Sequence, residues 1–255
     1  MNKSPLKPPA NRQFSCLQTL REMIPDQSVV NSYLFYDGAI ELALAKSNRF
    51  VVARTNKYVI YEFWKCLLYD PERIAEFAEY LFPMQNRRMF EVYQEKFAHF
   101  KGPFIRAATF FVLNQCSDSG MISSGHLANS DGDPLRQSYL KKFSPRNFNV
   151  KFDSETDFIE SLADAGEDEY ILLPIGRYSP NLFEEGKPIG LEETTVYHKK
   201  VKEFFESTDK KMILLYYFSP RILKWYQKYN LKMINEWGLE TTDQTKCKEV
   251  VIANF

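Results

Sequence analysis

Apolar and polar residues recur at two different periods along this chain, and each change of period marks an element. Leu17–Ile24 carries apolar residues at helical spacing and stops before Pro25, which predicts a short helix. V-V-N-S-Y-L-F-Y, residues 29–36, is β-branched and aromatic, the composition of a strand. Asp37-Gly38 makes a turn, A-I-E-L-A-L-A follows as a helix, and R-F-V-V-A-R at 49–54 reads as a second strand. The amphipathic run T-N-K-Y-V-I-Y-E-F-W-K-C-L-L comes next. Strand, helix, strand, helix in that order predicts a parallel sheet.

Residues 71–100 read as two helices broken at Pro83, and Ile105–Asn114 as a further apolar helix. Cys116–Pro134 is rich in Ser, Gly, Asp and Asn, which predicts an exposed loop. Phe148–Phe152 reads as a strand and Thr156–Ala163 as a helix. In D-E-Y-I-L-L-P-I-G-R-Y-S-P, Asp168–Pro180, the apolar run Tyr170–Leu173 breaks at Pro174, Gly176 and Pro180. This is the pattern of a buried strand opening into a loop, the place where ligands sit in open α/β sheets. Leu191–Glu206 and Pro220–Tyr229 read as helices, 211–218 as a buried strand, and K-E-V-V-I-A-N-F as a closing strand.

With 255 residues, the chain can bury one large α/β domain, with or without an insertion. Aromatics make up 15% of it, which predicts an aromatic-rich core in preference to a base-stacking surface. Lys+Arg and Asp+Glu are both 33, so no global basic field advertises nucleic acid. Cys16, Cys66, Cys116 and Cys247 lie far apart, without zinc spacing, and read as reduced, buried thiols. The polar, Pro-rich start is no signal peptide and no apolar run reaches the length of a membrane span. An intracellular, cytoplasmic protein with no membrane contact is expected, a viral protein made inside a host included.

The order of pieces resembles the Dam-type DNA adenine methyltransferases, which move a methyl group from S-adenosylmethionine to the exocyclic amine of adenine. The resemblance runs almost end to end. The family's cofactor-binding arm, P-[LF]-x-K-W/Y-x-G-G-K, is similar to P-L-K-P-P-A-N-R, with Lys7 kept and Ala10, Asn11 and Arg12 in place of G-G-K. Its methionine loop, E-P-F-x-G-G-G-A-V, resembles Y-L-F-Y-D-G-A-I at 33–40. Phe35 and Gly38 survive there, and Asp37 and Ala39 replace flanking glycines. The strand ending in D-x-N, whose acid binds the cofactor, resembles V-V-A-R-T-N, which keeps Asn56 but has Arg54 for the acid.

Further on, the segment with Arg106, Asn114, Cys116 and Gly120 is similar to the run that leads into the family's DNA-contacting loop. The catalytic D-P-P-Y stands as Leu173, Pro174, Ile175 and Gly176. In the family the acid and the first proline's carbonyl accept hydrogen bonds from the target amine, and the aromatic stacks on the flipped base. Leu173 has no acceptor and Gly176 no ring; Tyr178, two residues on, is the candidate stacker.

The fold expected is therefore a Rossmann-like methyltransferase sheet, residues 1–69 and 148–255, with a mainly helical insertion at 70–147 in the place of a target-recognition subdomain. The departures fall on the arm, the methionine loop, the cofactor acid and the catalytic tetrapeptide. They point to a pseudoenzyme without a cofactor, acting as a DNA-binding or assembly partner. The alternatives are an active, divergent enzyme that still uses S-adenosylmethionine, and a viral structural protein reusing the fold. Expected partners are duplex DNA, an active methyltransferase or a viral assembly.

Arg87, Arg88, Arg106, Lys141, Lys142 and Arg146 are the candidate nucleic-acid contacts, against the plainer reading of an ordinary charged face. Arg54 is expected to fill the old cofactor pocket in a salt bridge, with Asp37 as the candidate partner, in preference to binding an anionic ligand there. His99, His126 and His198 share no metal spacing and read as structural, Cys116 lacks a partner base, and G-E-D-E at 166–169 reads as a solvated loop.

Overall fold

The computed structural model describes residues 4–9, 13–82, 84, 86–128, 138–154, 158–178 and 195–255. Seven strands form one sheet: β1 (Val29–Ser32), β2 (Phe50–Thr55), β3 (Phe148–Phe152), β4 (Tyr170–Gly176), β5 (Lys211–Tyr217), β6 (Asn230–Asn235) and β7 (Cys247–Ala253). Their order is β3-β2-β1-β4-β5-β7-β6. The first five pair in parallel, and β7 runs antiparallel to both β5 and β6. A doubly wound sheet closed by a reversed strand between its fifth and sixth is the Rossmann-like methyltransferase sheet expected from the sequence. The winding reverses between β1 and β4, so the crevice for a ligand lies at their carboxyl ends.

Helices α1 (Leu17–Met23), α2 (Ala39–Lys46) and α3 (Tyr58–Tyr69) cover one face. The other carries α7 (Phe158–Leu162), α8 (His198–Ser207) and α9 (Pro220–Tyr226). Between β2 and β3, α4 (Pro71–Leu81), α5 (Arg87–Lys96), a 3-10 turn (Phe97–His99) and α6 (Pro103–Cys116) build a helical layer on α3. Asp70 caps α4 by accepting from the Arg73 amide at 3.0 Å, and Pro71 opens the helix, where its missing N–H costs nothing. The core is aromatic: Trp64, Phe63, Phe90, Phe97, Phe110 and Phe111 are all at most 1% exposed. Phe63 stacks on Phe110 with centroids 5.1 Å apart.

Several expectations shift. β4 does not end at Leu173 but runs through Pro174 to Gly176, with all seven residues buried. The register against β5 slips between Pro174 and Gly176, and Gly176 takes φ +82°. That irregularity absorbs the proline's missing donor and leaves the rest of the ladder intact. β1 is shorter than 29–36 because Leu34 turns the chain at φ +59°. α8 begins at His198, with 195–197 not helical and 191–194 outside the described residues. α9 stops at Tyr226 and is followed by β6, for which N-L-K-M-I-N offers little alternation.

The 116–134 loop is not simply exposed. Ser117, Gly120, Met121 and Ile122 are buried and Ser117 bridges to Leu127, whereas 129–134 lie outside the described residues, as do Ala10, Asn11, Arg12, Pro83, Thr156 and Pro180. Among the described residues no helix is long and apolar enough to cross a membrane.

Truncating the ring at the centre of the helical layer tests this packing. Phe110→Ala is expected to cost about 3–5 kcal/mol, read as a lower denaturant midpoint with an unchanged slope.

Candidate functional site

A cavity of about 580 Å³ opens where the topology places a ligand, between the start of α2, the end of β4 and the N-terminal arm. Lys7, Asp37, Glu41, Asp118 and Pro174 contribute to its lining. Lys7, Asp37 and Pro174 were expected at a site and are brought together; Glu41 and Asp118 were not singled out. Glu41 is buried and accepts from Ser32 Oγ at 2.6 Å. Its signal was an acid alone on the otherwise apolar first turns of α2. Asp118 is held below the usual carboxylate range mainly by the His126 amide, which donates to it at 3.0 Å.

The arm is stitched across this cavity by two side chains at the end of α6. Asn114 accepts from the Lys7 amide at 2.7 Å and donates to the Lys7 carbonyl at 3.1 Å, pairing with the arm as a neighbouring strand would. Its Nδ2 also donates to the Gly120 carbonyl at 2.6 Å, and Gln115 donates to the Pro5 carbonyl at 3.0 Å. Lys7 Nζ donates to the Ser117 carbonyl at 3.0 Å, and Ser4 Oγ to that of Asp37. Tyr36 completes the seam, its hydroxyl donating to the Gly120 carbonyl at 2.9 Å.

The remaining arm and loop positions pack inwards. Phe35 lies against Trp64, ring centroids 5.0 Å apart. Gly38 opens α2 at φ +75°, and a Cβ built there would meet Trp64 Cη2 at 2.9 Å and Phe35 Cε2 at 3.2 Å. Only glycine fits, and the neighbour that demands it is the chain's own tryptophan. Asn56 is half-buried at the turn between β2 and α3.

Arg54 lies apart, on the opposite face. Ala53 packs in the α3 core, so strand alternation turns Arg54 away from Asp37. The expected Arg54–Asp37 pair is thereby replaced: Arg54 Nη1 donates to Asp153 at 3.0 Å, Nε to Asn31 Oδ1 at 3.0 Å, and the guanidinium lies 5.4 Å from the Tyr33 ring centre. Both charged side chains are 7% exposed. Burial raises the Asp153 carboxyl above its usual range, with Arg54 opposing that shift. Glu169, read as part of a solvated loop, is half-buried and accepts from Asn31 at 2.7 Å and from the Gly166 amide at 2.9 Å. Glu167 and Asp168 are exposed.

Leu173, Pro174, Ile175 and Gly176 are all buried in β4. Leu173 and Ile175 sit in the core under α7–α9, and Pro174 alone reaches the cavity. Tyr178 is half-buried, its ring 4.9 Å from His198 and edge-on to Trp225 at 5.5 Å. His198 packs structurally, its Nδ1 3.1 Å from the Tyr216 hydroxyl, and burial brings its pKa down to about 4.

Three of the basic candidates around the helical layer are paired with glutamates. Arg106 is bidentate to Glu62 and donates to the Phe100 carbonyl at 2.6 Å. Arg87 pairs with Glu91 at 2.9 Å and Lys141 with Glu79 at 2.6 Å. Arg88, Lys142 and Arg146 are exposed. Among the described residues no His, Cys, Asp and Glu group could hold a metal ion.

No protein-family model and no curated protein matches this chain. Among solved structures it is similar to a TehB-like SAM-dependent methyltransferase from Corynebacterium glutamicum, at 10% identity over 94% of this chain and 86% of that one, with a TM-score of 0.38. It is also similar to precorrin-6y C5,15-methyltransferase from Geobacter metallireducens, at 10% identity over 93% and 83%, with a TM-score of 0.34. The sheet order identifies the fold.

Two outcomes follow. Asp153→Ala strands the Arg54 charge in a buried setting and is expected to cost about 3–5 kcal/mol. The double change Arg54→Met with Asp153→Leu is expected to cost less than that single one in chemical denaturation. Second, the unfolded chain binds a proton at His198 from pH 6.5 downward, whereas the folded chain resists until about pH 4. Stability from this group is therefore present above pH 6.5 and declines by about 3 kcal/mol as pH falls to 4. His198→Gln is expected to flatten that part of the stability–pH curve relative to wild type.

Proposed function

We propose that this chain is a methyltransferase-fold protein that acts by binding and performs no methyl transfer. The observation that carries the reading is the fate of the cofactor's two anchor points. Where the resemblance calls for an acid to hold the ribose, Arg54 stands, buried and engaged by Asp153 and Asn31. Where it calls for glycines that let the backbone approach the methionine moiety, the space beside Gly38 belongs to Trp64, and Asp37 lines the cavity. A carboxylate at that point repels the carboxylate of a bound amino acid. These residues do not fit S-adenosylmethionine.

The reacting end supports the same reading. Leu173 can neither accept a hydrogen bond from an amine nor move out of the core without opening a void. Tyr178 has its ring occupied by His198 and Trp225, so it is no free platform for a flipped base in the family's manner. The role left is that of a binding partner in an assembly on nucleic acid. One observation favours a second reading, a divergent active enzyme: the 580 Å³ cavity lies at the topological switch point and is large enough for a small ligand.

Calorimetric titration of S-adenosylmethionine and S-adenosylhomocysteine separates the two. No heat is expected at millimolar ligand. Micromolar binding of either overturns the proposal and restores the enzyme reading.

A further inference from the structure

We infer that the shelf formed by Arg221, Trp225 and Tyr178, at the carboxyl end of β4, binds single-stranded nucleic acid. This names the partner for the reading that the chain acts by binding.

The Arg221 guanidinium carbon lies 5.3 Å from the Trp225 ring centre and 5.8 Å from that of Tyr178, and those two rings meet edge to face at 5.5 Å. Two aromatic neighbours therefore hold the guanidinium on one side. Arg221 is exposed, and among the described residues no carboxylate pairs with it. A supported guanidinium with an open outer side is a surface on which an unpaired base stacks, and its edge donates to phosphate.

Exposed cations are chain neighbours of the shelf residues. Arg177 adjoins Tyr178, Lys199 adjoins the His198 that packs on Tyr178, and Lys224 adjoins Trp225. All three are exposed and without an ion pair among the described residues. Lys200 lies over the half-buried Tyr197 ring at 5.1 Å, adding a second cation–aromatic contact one residue along. Of the acids on α8, Glu203 is exposed and one turn from Lys199, and Glu206 is taken by Lys202 at 2.8 Å and Lys228 at 3.3 Å.

In the helical layer Arg87, Arg106 and Lys141 are each paired to a glutamate, and Arg88, Lys142 and Arg146 are exposed with no aromatic ring beneath them among the described residues. Exposed cations beside a ring-backed guanidinium are the chemistry that follows a single strand, because phosphates meet the cations while an unpaired base stacks on the open side of Arg221. A duplex keeps its bases stacked inside and offers the shelf nothing to stack.

The test is fluorescence anisotropy with labelled oligo(dT), the matching duplex, an abasic oligomer of the same length, and anionic lipid vesicles in competition. Oligo(dT) is expected to bind more tightly than duplex or abasic oligomer and to weaken as salt rises. Arg221→Ala and, separately, the surface pair Lys199→Gln with Lys224→Gln are each expected to weaken binding about tenfold or more. The surface pair leaves the packed rings alone, so the test survives if Arg221→Ala misfolds. Equal or tighter binding of duplex or abasic oligomer, capture by vesicles alone, no binding, or variants that bind as wild type each overturn the inference. None of these arms contains S-adenosylmethionine, so a cofactor that binds in calorimetry overturns the non-catalytic reading without deciding this one.

Discussion

The central constraint on this structure is that β4 must be buried on both sides while carrying a proline. It lies between β1 and β5, with its side chains divided between the two helical layers, and none of its seven residues is exposed. A strand in that position has no water to satisfy its backbone, so every amide needs a partner in the ladder. The register slip at Pro174 and the positive φ of Gly176 meet that need. They also fix what the carboxyl end of the strand can offer: Leu173 and Ile175 are committed to the core under α7–α9, and Pro174 is what remains to face the cavity. A sequence that keeps this strand apolar to its end gains packing and gives up a place for an acid.

The arm is the second dependence. Residues 4–8 make no helix or strand, yet Leu6 is 1% exposed and belongs to the same core as Trp64 and Phe110. Backbone buried in this way needs partners, and Asn114 and Gln115 supply them from 107 and 110 residues away. A side-chain amide can both donate and accept, so one asparagine satisfies the Lys7 amide and carbonyl together. Because Asn114 also holds Gly120, the arm, the end of α6 and the loop after it form one unit around the cavity. Gly120 fits there for the same reason as Gly38: a Cβ would meet the Lys7 carbonyl at 3.1 Å.

What the sequence made legible follows from the range of the forces involved. Hydrophobic period located β1, β2, β3, β4, β5, β7 and the helices α1–α9, because each buries a face set by its own residues. The breakers at Pro174 and Gly176 misled because a local preference was outvoted by pairing to β5, which continues past the end of the β1 ladder at Leu172. β6 was missed because an edge strand with one buried residue shows almost no pattern. Arg54 was recognised as out of place, but its partner was not, since Asp153 lies 99 positions on and is brought close only by the pairing of β2 with β3. Motif spacing located the cavity's Lys7, Asp37 and Pro174, whereas Glu41 and Asp118 carry no motif at all.

Charge gives the sharpest instance of what a total conceals. Equal numbers of acids and bases argued against a global basic field, and that holds as an average. The structure distributes the pairs unevenly. Around the helical layer, glutamates at 62, 79 and 91 pair with Arg106, Lys141 and Arg87, while Arg88, Lys142 and Arg146 stay exposed. Around Tyr178, cations flank rings, and α8's Glu206 is held one helical turn away by Lys202 and Lys228. Exposed charges separated by more than about 8–10 Å are largely screened at physiological salt, so a remote excess of acid does not cancel a local excess of base. Neutrality of the whole chain is therefore compatible with an anion-seeking face, and the face is set by where the glutamates are spent.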